Sequence, residues 1–294
     1  MKRLVTFVPA LLLAATFSWA EQQYSVTGMV LKVDPSNKTF VVSCDSIPGY
    51  MAAMTMPFDV RAAKELDGVV PGAIVEFKLV VDQKSSYARQ IRVRRYETVE
   101  QDPLRARRLK LLGQISGSAA SRVNALAVGE QVPDFTLTNQ KYRQIALSQF
   151  RGKVVAINFI YTSCALPNFC LRIANNFGVL QKRFKAQLGS DLVLLTVTFD
   201  PVHDHPDVLA QYARQLKADP ERWHFLTGEV PAVRRVCNLF GVDAFPDEGL
   251  MDHSLHTAII DRQGNLVANI EGNQFTADQL GDLTQSVLDP KRGH

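Results

Sequence analysis

Two cysteines form the most chemically suggestive feature of this chain. Cys164 and Cys170 lie with five residues between them in YTSCALPNFC, after an apolar run and before a segment of helical periodicity. A thiol at the amino end of a helix is close to the positive end of the helix dipole, which predicts a pKa below the usual value of about 8.5. The pair could be a structural disulfide, a redox couple or a clamp for a soft ion such as Cu(I) or Zn(II).

A metal clamp needs a third ligand, and His253 is the best candidate. It lies in DHSLHTAIID, just before a predicted strand that we expect beside the cysteine loop. Asp200 ends another predicted strand at the same edge of the sheet, so we expect its carboxylate to support the ligands from outside. Three further histidines and one cysteine of this region are expected to be solvated or structural: His203, His205, His256 and Cys237.

A second sulfur-rich segment runs from Cys44 to Val60, CDSIPGYMAAMTMPFDV, and contains Met51, Met54 and Met56. In a strand, Met54 and Met56 point to the same face. Two thioethers on one face, with Cys44 at a neighbouring strand end, would form a site for Cu(I) or Ag(I). The alternative is that the methionines only fill gaps in a core.

The pattern of elements predicts two domains of different class. Residues 23–96 contain short strand-like segments separated by turns, which indicates a small all-β barrel of the OB type. Residues 97–127 are Arg-rich and then small and polar, as in a linker. Residues 128–290 alternate buried strands with helices and end in a hairpin and a helix, which predicts a thioredoxin-like α/β domain with a mixed sheet.

The first 20 residues have the order of a secretory signal. Lys2 and Arg3 precede an apolar run and then Ser18-Trp19-Ala20, so cleavage is expected after Ala20, with an uncleaved membrane anchor as the alternative. Export to a bacterial periplasm is therefore expected. The basic linker is either a solvated tether or a contact to an anionic membrane surface.

Composition and motifs exclude several classes of function. A formal net charge of +4 over 294 residues is too small to indicate nucleic-acid binding. The chain has no GxSxG, P-loop or glycine-rich nucleotide fingerprint. A binding protein is thus expected rather than an enzyme, and Cys164 and Cys170 would be catalytic only if they are redox-active.

Several motifs from Ala127 to Leu288 resemble the Sco/SenC family in content and order: VPDFTL, FRGKVVAINFIYTSC, VTFDP, WHFLTG and DHS…IIDRQG. The resemblance implies a thioredoxin-like fold and a copper site formed by Cys164, Cys170 and His253. It also implies delivery of copper to the binuclear centre of cytochrome c oxidase. The usual family motif has three residues between the cysteines, and this chain has five, which leaves affinity, redox potential and client open.

The segment from Tyr24 to Tyr96 resembles the CusF-like copper and silver binding barrel through MTMPF and the IPG turn. In that family a histidine commonly occupies a place at or next to that of Cys44, and some members carry a tryptophan near the position of Met51. This barrel has no tryptophan, so Met51 is an additional candidate ligand.

Together these features predict a periplasmic copper metallochaperone that handles Cu(I) and, as a second state, Cu(II). A flexible tether between the two sites would favour handover within one molecule. The expected partner is the copper-bearing subunit of cytochrome c oxidase or another periplasmic copper protein. The alternative is a thiol-disulfide oxidoreductase in which Cys164 attacks a client disulfide and Cys170 resolves it.

Overall fold

The structure, a computed structural model, describes residues 22–82, 85–94, 111, 125–164, 167–247 and 250–290. The predicted signal segment at residues 1–20 and most of the predicted linker at 97–127 lie outside the described residues. Among the helices of the described ranges, none combines the length and the apolar composition needed to cross a bilayer.

The amino-terminal domain is all-β, which confirms the predicted class. Its strands are all paired antiparallel in the order β3-β2-β1-β4-β5, and a bridge between Val60 and Ala88 brings the end of β3 to β5. Phe40, Phe58 and Phe77 pack against one another in its interior. The strands are β1 (Gln22–Asp34), β2 (Thr39–Cys44), β3 (Met54–Asp59), β4 (Ile74–Val81) and β5 (Ser86–Val93).

The carboxy-terminal domain has a mixed sheet flanked by helices, as expected of a thioredoxin-like fold. The strands described there are β6 (Thr136–Asn139), β7 (Gln144–Ala146), β8 (Val154–Ile160), β9 (Leu192–Thr198), β10 (Trp223–Thr227), β11 (Ala244–Asp247), β12 (Leu250–His253), β13 (His256–Ile260) and β14 (Leu266–Glu271). The helices are α1 (Arg172–Arg183), α2 (Pro206–Gln215), α3 (Val230–Leu239) and α4 (Ala277–Leu288).

The sheet of this domain has the order β14-β13-β8-β9-β10-β6-β7, and β11 and β12 form a separate hairpin. Strands β8, β9 and β10 are parallel, whereas β13, β14, β6 and β7 pair antiparallel. Every residue of β8 and β9 is buried, which explains why both read as continuous apolar runs. Their carboxyl ends form the edge of the sheet at which ligands of open α/β folds bind.

The two domains pack directly against each other. Met29 and Leu31 of β1 belong to the same buried cluster as Ala268 and Ile270 of β14, and the barrel residues Val41 and Ile74 pack against that cluster. The tether expected from the sequence lies mostly outside the described residues. The domains that it joins nevertheless share a continuous apolar contact, so the barrel has a defined place on its neighbour.

Gly72 provides a test of this domain contact. Its φ is +86°, and a Cβ there would lie 2.9 Å from Cβ of Ala268, whereas Gly68, with φ +74°, has open space around it. We expect Gly68→Ala to lower the free energy of unfolding by about 1 kcal/mol through its left-handed backbone alone. Gly72→Ala should cost about 1 to 3 kcal/mol more, because it also forces the domains apart.

Denaturant unfolding of the two variants beside the parent measures this difference. Because Gly68→Ala carries the same backbone strain, it serves as the matched control. Equal losses of stability in the two variants would contradict the close approach of the domains at Gly72.

Candidate metal centre

The two cysteines lie at the carboxyl end of β8, as the sequence predicts. Cys164 follows the strand in a loop and is half-buried, whereas Cys170 is 1% exposed. Cys170 belongs to a π-helical turn, Pro167–Leu171, that runs into α1 and is kinked at Phe169. None of the four cysteines, all of which are in the described residues, forms a disulfide.

The hairpin of β11 and β12 carries His253 to the cysteines. It lies between α3 and β13, and its final residue, His253, pairs with Ala244. Nε2 of His253 is 3.9 Å from Sγ of Cys170. One ligand atom from each of Cys164, Cys170 and His253 lies within 4.8 Å of the other two, so the structure brings the three predicted ligands together.

One hydrogen bond sets the tautomer of His253. Its Nδ1 is 3.1 Å from the carbonyl oxygen of Ser254. Because a carbonyl can only accept, Nδ1 carries the proton and donates it. In the neutral imidazole this leaves the lone pair on Nε2, the nitrogen on the side of Cys170, and a lone pair there is what binds a metal ion.

Three aromatic side chains surround His253 and were not identified from the sequence. Phe199 lies 4.7 Å from the imidazole between ring centroids, Tyr161 5.5 Å and Phe169 6.5 Å. They hold the ring in place and shield the centre from water. A signal existed for two of them, since Tyr161 and Phe199 directly follow β8 and β9, whose last residues, Ile160 and Thr198, are paired.

Burial and the neighbouring thiol control the charge of Cys170. A hydrogen bond with Cys164 and desolvation by burial together raise the pKa of Cys170 well above its usual value. The lowering expected from the helix dipole is therefore wrong for Cys170, because the dipole is the weaker effect on a thiol that is buried and bonded to Cys164. Burial likewise raises the pKa of Tyr161 to about 12.

The acid that braces the cysteine loop is Asp204, which the sequence did not single out. This buried carboxylate accepts hydrogen bonds from the backbone N–H of Thr162, two residues before Cys164, and from the hydroxyl of Thr198. Burial raises the pKa of Asp204. Asp200 instead accepts a hydrogen bond from Nδ1 of His203 at 2.9 Å, and its predicted role beside the ligands stays a prediction.

The remaining candidates of this domain have other surroundings. His203 and His205 are exposed, and His205 is the N-cap residue of α2. His256 is buried with Nδ1 3.1 Å from Oδ1 of Asn269. Cys237 is buried in α3, and desolvation raises the pKa of its thiol to about 12.

The second predicted site lies on one face of β2 and β3. Cys44 pairs with Met54 and Val42 with Met56, so Cys44, Met54 and Met56 share a face of the sheet. Met54 is 52% exposed, Met56 is partly buried, and Cys44 is buried. Burial, with a smaller contribution from Asp45, raises the pKa of Cys44 to about 12, so this thiol is protonated without a metal ion.

Met51 lies in the short loop that precedes β3. Its backbone exchanges hydrogen bonds with Ile47, and its side chain packs against the barrel core. Tyr50, the preceding residue, stacks on Tyr24 of β1 with 3.9 Å between ring centroids. This tyrosine pair was missed at the sequence level, since Tyr24 and Tyr50 are far apart in the chain.

Alkylation of the reduced, metal-free protein tests the charge state of Cys170. At a pH near 8 we expect Cys170 to react at least about tenfold more slowly than a free thiol, whose pKa is about 8.5. Cys164→Ser removes the neighbouring thiol that raises the Cys170 pKa, so Cys170 should react several-fold faster in that variant.

Cys237 provides the internal control, because its slow reaction should be the same in both proteins. Peptide mapping by mass spectrometry reports each cysteine separately. If Cys170 reacts as fast as a free thiol, or if Cys164→Ser leaves its rate unchanged, the raised pKa of Cys170 is contradicted.

Comparisons with known proteins match both domains. Residues 125–288, more than half of the chain, match the family model of SCO1/SenC. Residues 23–92 match the model of the copper binding periplasmic protein CusF. The order of the two matches confirms the resemblances seen in the sequence.

Individual relatives agree with the family models. The SCO1 protein homolog of Bacillus subtilis is 31% identical over 98 residues, 33% of this chain and 49% of that protein, so the chain spans about half the length of this curated relative. The solved structure of BsSco, described as a member of the Sco family of cytochrome c oxidase assembly proteins, is 24% identical and covers 57% of this chain and 98% of its own, with a TM-score of 0.48.

A further solved structure, Arabidopsis thaliana ScoI with copper bound, is 22% identical and covers 57% of this chain and 100% of its own, with a TM-score of 0.47. Because both TM-scores are below 0.5, membership rests on the match to the family model. The chain belongs to the SCO1/SenC family and carries a CusF-like domain at its amino-terminal side.

Proposed function

We propose that this protein is a copper metallochaperone that carries Cu(I) on Cys164, Cys170 and His253. The observation that supports this most is the approach of two sulfurs and one imidazole nitrogen to within 4.8 Å of one another. Two thiolates and an imidazole suit Cu(I) and also accept Cu(II). Copper is the cargo here, so the centre must release the ion as well as bind it.

The different exposure of the two cysteines sets the order in which the ligands would bind and release the ion. Cys164 is half-buried and Cys170 is buried, so an incoming ion meets Cys164 first. Coordination then displaces the proton of Cys170, whose thiol is protonated in the metal-free protein. Nε2 of His253, the ring nitrogen that does not bond to Ser254, completes the ligand set. Release reverses this order, with Cys164 as the sulfur that an acceptor protein can share.

The barrel would hold a second soft ion through Cys44, Met51, Met54 and Met56. Thioethers carry no proton, so Met54 and Met56 can bind Cu(I) at any pH. Cys44 would lose its proton only when the ion arrives, because its pKa is about 12. The half-exposed Met54 is the natural point of entry.

The proposed setting is the bacterial periplasm. The segment at residues 1–20 would direct export or stay as an anchor, and the basic linker at 97–127 would contact an anionic membrane surface. Both domains, residues 23–96 and 128–290, would transfer copper to the same acceptor. This acceptor would be the copper-bearing subunit of cytochrome c oxidase or another periplasmic copper protein. The description of the CusF model as a copper binding periplasmic protein supports this setting.

A thiol-disulfide oxidoreductase is the second candidate, and the unequal burial of the cysteines favours it. The thiolate of Cys164 would attack a client disulfide and form a mixed disulfide, releasing one client thiolate. Cys170 would then attack the sulfur of Cys164, release the second client thiolate and leave an oxidised cysteine pair. This reaction makes no use of His253 or of the barrel methionines.

Metal loading tests the two proposed copper sites. The reduced protein, offered Cu(I) without oxygen and then desalted, should retain about two ions per chain, since each ligand set holds one soft cation. Cys164→Ser and Met54→Leu should each lower the retained copper by about one ion. Copper retention unchanged by either substitution would rule out the corresponding site.

Substitution of His253 separates the two candidate functions. His253→Ala removes one copper ligand and should lower Cu(I) affinity at the cysteine site by about tenfold or more. The rate of exchange with a model disulfide should stay within about twofold, because both thiols remain. His205→Ala, at an exposed position, should change neither quantity. Copper affinity unchanged by His253→Ala, with disulfide exchange intact, would contradict the copper centre and favour the oxidoreductase, which makes no use of His253.

A further inference from the structure

We propose that Gln279 and Asp282 of α4 are positioning residues for the barrel metal site, so that this site is built by both domains. This inference rests on the proposed function of the barrel. The two residues lie in the SCO1/SenC segment, whereas the ligands that they support lie in the CusF-like segment. Neither segment alone contains the complete arrangement.

Gln279 holds both neighbours of Cys44. Its Nε2 donates to Oδ1 of Asp45 at 3.1 Å and lies 3.4 Å from the carbonyl oxygen of Ser43. Gln279 is 5% exposed, so these bonds form away from water, where an unpaired polar group is costly. The backbone on both sides of the Cys44 thiol is thereby fixed from the other domain.

Asp282 holds the strand pair that carries the remaining ligands. Its Oδ2 accepts hydrogen bonds from the hydroxyls of Ser43 at 2.7 Å and Thr55 at 3.0 Å. Thr55 stands between Met54 and Met56 and pairs with Ser43. Oδ1 of the same carboxylate accepts from Nη2 of Arg183 in α1 at 2.6 Å, which fixes the acid within its own domain.

Side chains alternate between the two faces of β2 and β3, so the residues bonded to α4 and the proposed ligands lie on opposite faces. Ser43 and Thr55 point towards α4, so Cys44, Met54 and Met56 point to the opposite face. The helix therefore contacts the outer side of the strand pair, whereas Cys44 and Met56 lie on the side of the barrel core. Affinity for a soft metal ion depends on how well the ligands are placed before the ion arrives. Hydrogen bonds from α4 to the outer side of β2 and β3 would fix that placement.

The start of α4 is itself fixed by a capping box that includes Gln279. Oε1 of Gln279 accepts from the backbone N–H of Thr276, and Oγ1 of Thr276 accepts from the N–H of Gln279. Gln279→Glu keeps an oxygen for this cap but loses the donor to Ser43 and Asp45 and sets two carboxylates against each other. The substitution thus removes the contact between domains while the helix cap remains.

The experiment measures Ag(I) affinity by competition with a chelator in the full chain carrying Cys164→Ser and Cys170→Ser, so that only the barrel site reports. We expect Gln279→Glu and Asp282→Asn each to weaken Ag(I) binding by about tenfold. Adding Asp45→Asn to Gln279→Glu lets the amide donate to the new carboxylate, and affinity should return to within about twofold of the parent.

Gln285→Glu is the matched control, since it adds the same charge to the same helix six positions further on and should leave Ag(I) affinity unchanged. Parent-like affinity in both Gln279→Glu and Asp282→Asn, or no recovery on adding Asp45→Asn, would overturn the positioning role. If the parent itself binds no Ag(I), the proposed function of the barrel is wrong and the inference fails with it.

Discussion

The parallel pairing of β8 with β9 is the constraint on which the candidate metal centre depends. Because Ile160 lies opposite Thr198, the two chains leave the sheet side by side and place Tyr161 next to Phe199. These rings form the floor on which His253 rests, and the loop after Tyr161 carries Cys164. A shift of one residue between these strands would turn the aromatic floor away from the imidazole.

Desolvation works against the charge that a thiolate ligand needs. Each buried cysteine assigned to a site, Cys44 and Cys170, has a pKa raised by its surroundings, so neither is ionised in the metal-free protein at neutral pH. Binding must therefore release protons, which weakens the net affinity relative to a preformed thiolate. In the proposed role of a copper carrier, this penalty would keep the ion exchangeable.

Much of the fold was predictable because its signals are local. Continuous apolar runs identified β8 and β9, and helical periodicity identified α1 and α4. The proximity of Cys164, Cys170 and His253 was predictable, because the cysteines follow a central strand and His253 directly precedes a strand expected beside them. The hairpin of β11 and β12 is short and was missed, although it carries His253 to the cysteines.

What the sequence could not reveal were contacts between distant segments. Asp204 braces the cysteine loop through Thr162, 42 positions away, and Asp282 reaches Ser43 across 239 positions. The sign of the Cys170 shift was misjudged for a related reason, since the helix dipole can be inferred from the chain but burial depends on tertiary packing.

The high exposure of Met54 makes its thioether accessible to oxidants. A thioether open to solvent can be oxidised to the sulfoxide, which is polar, hard and a poor donor for Cu(I). The buried sulfur of Cys44 is protected from the same reagents. Oxidants would therefore disable the proposed barrel site through Met54 first, and enzymatic reduction of the sulfoxide would restore it.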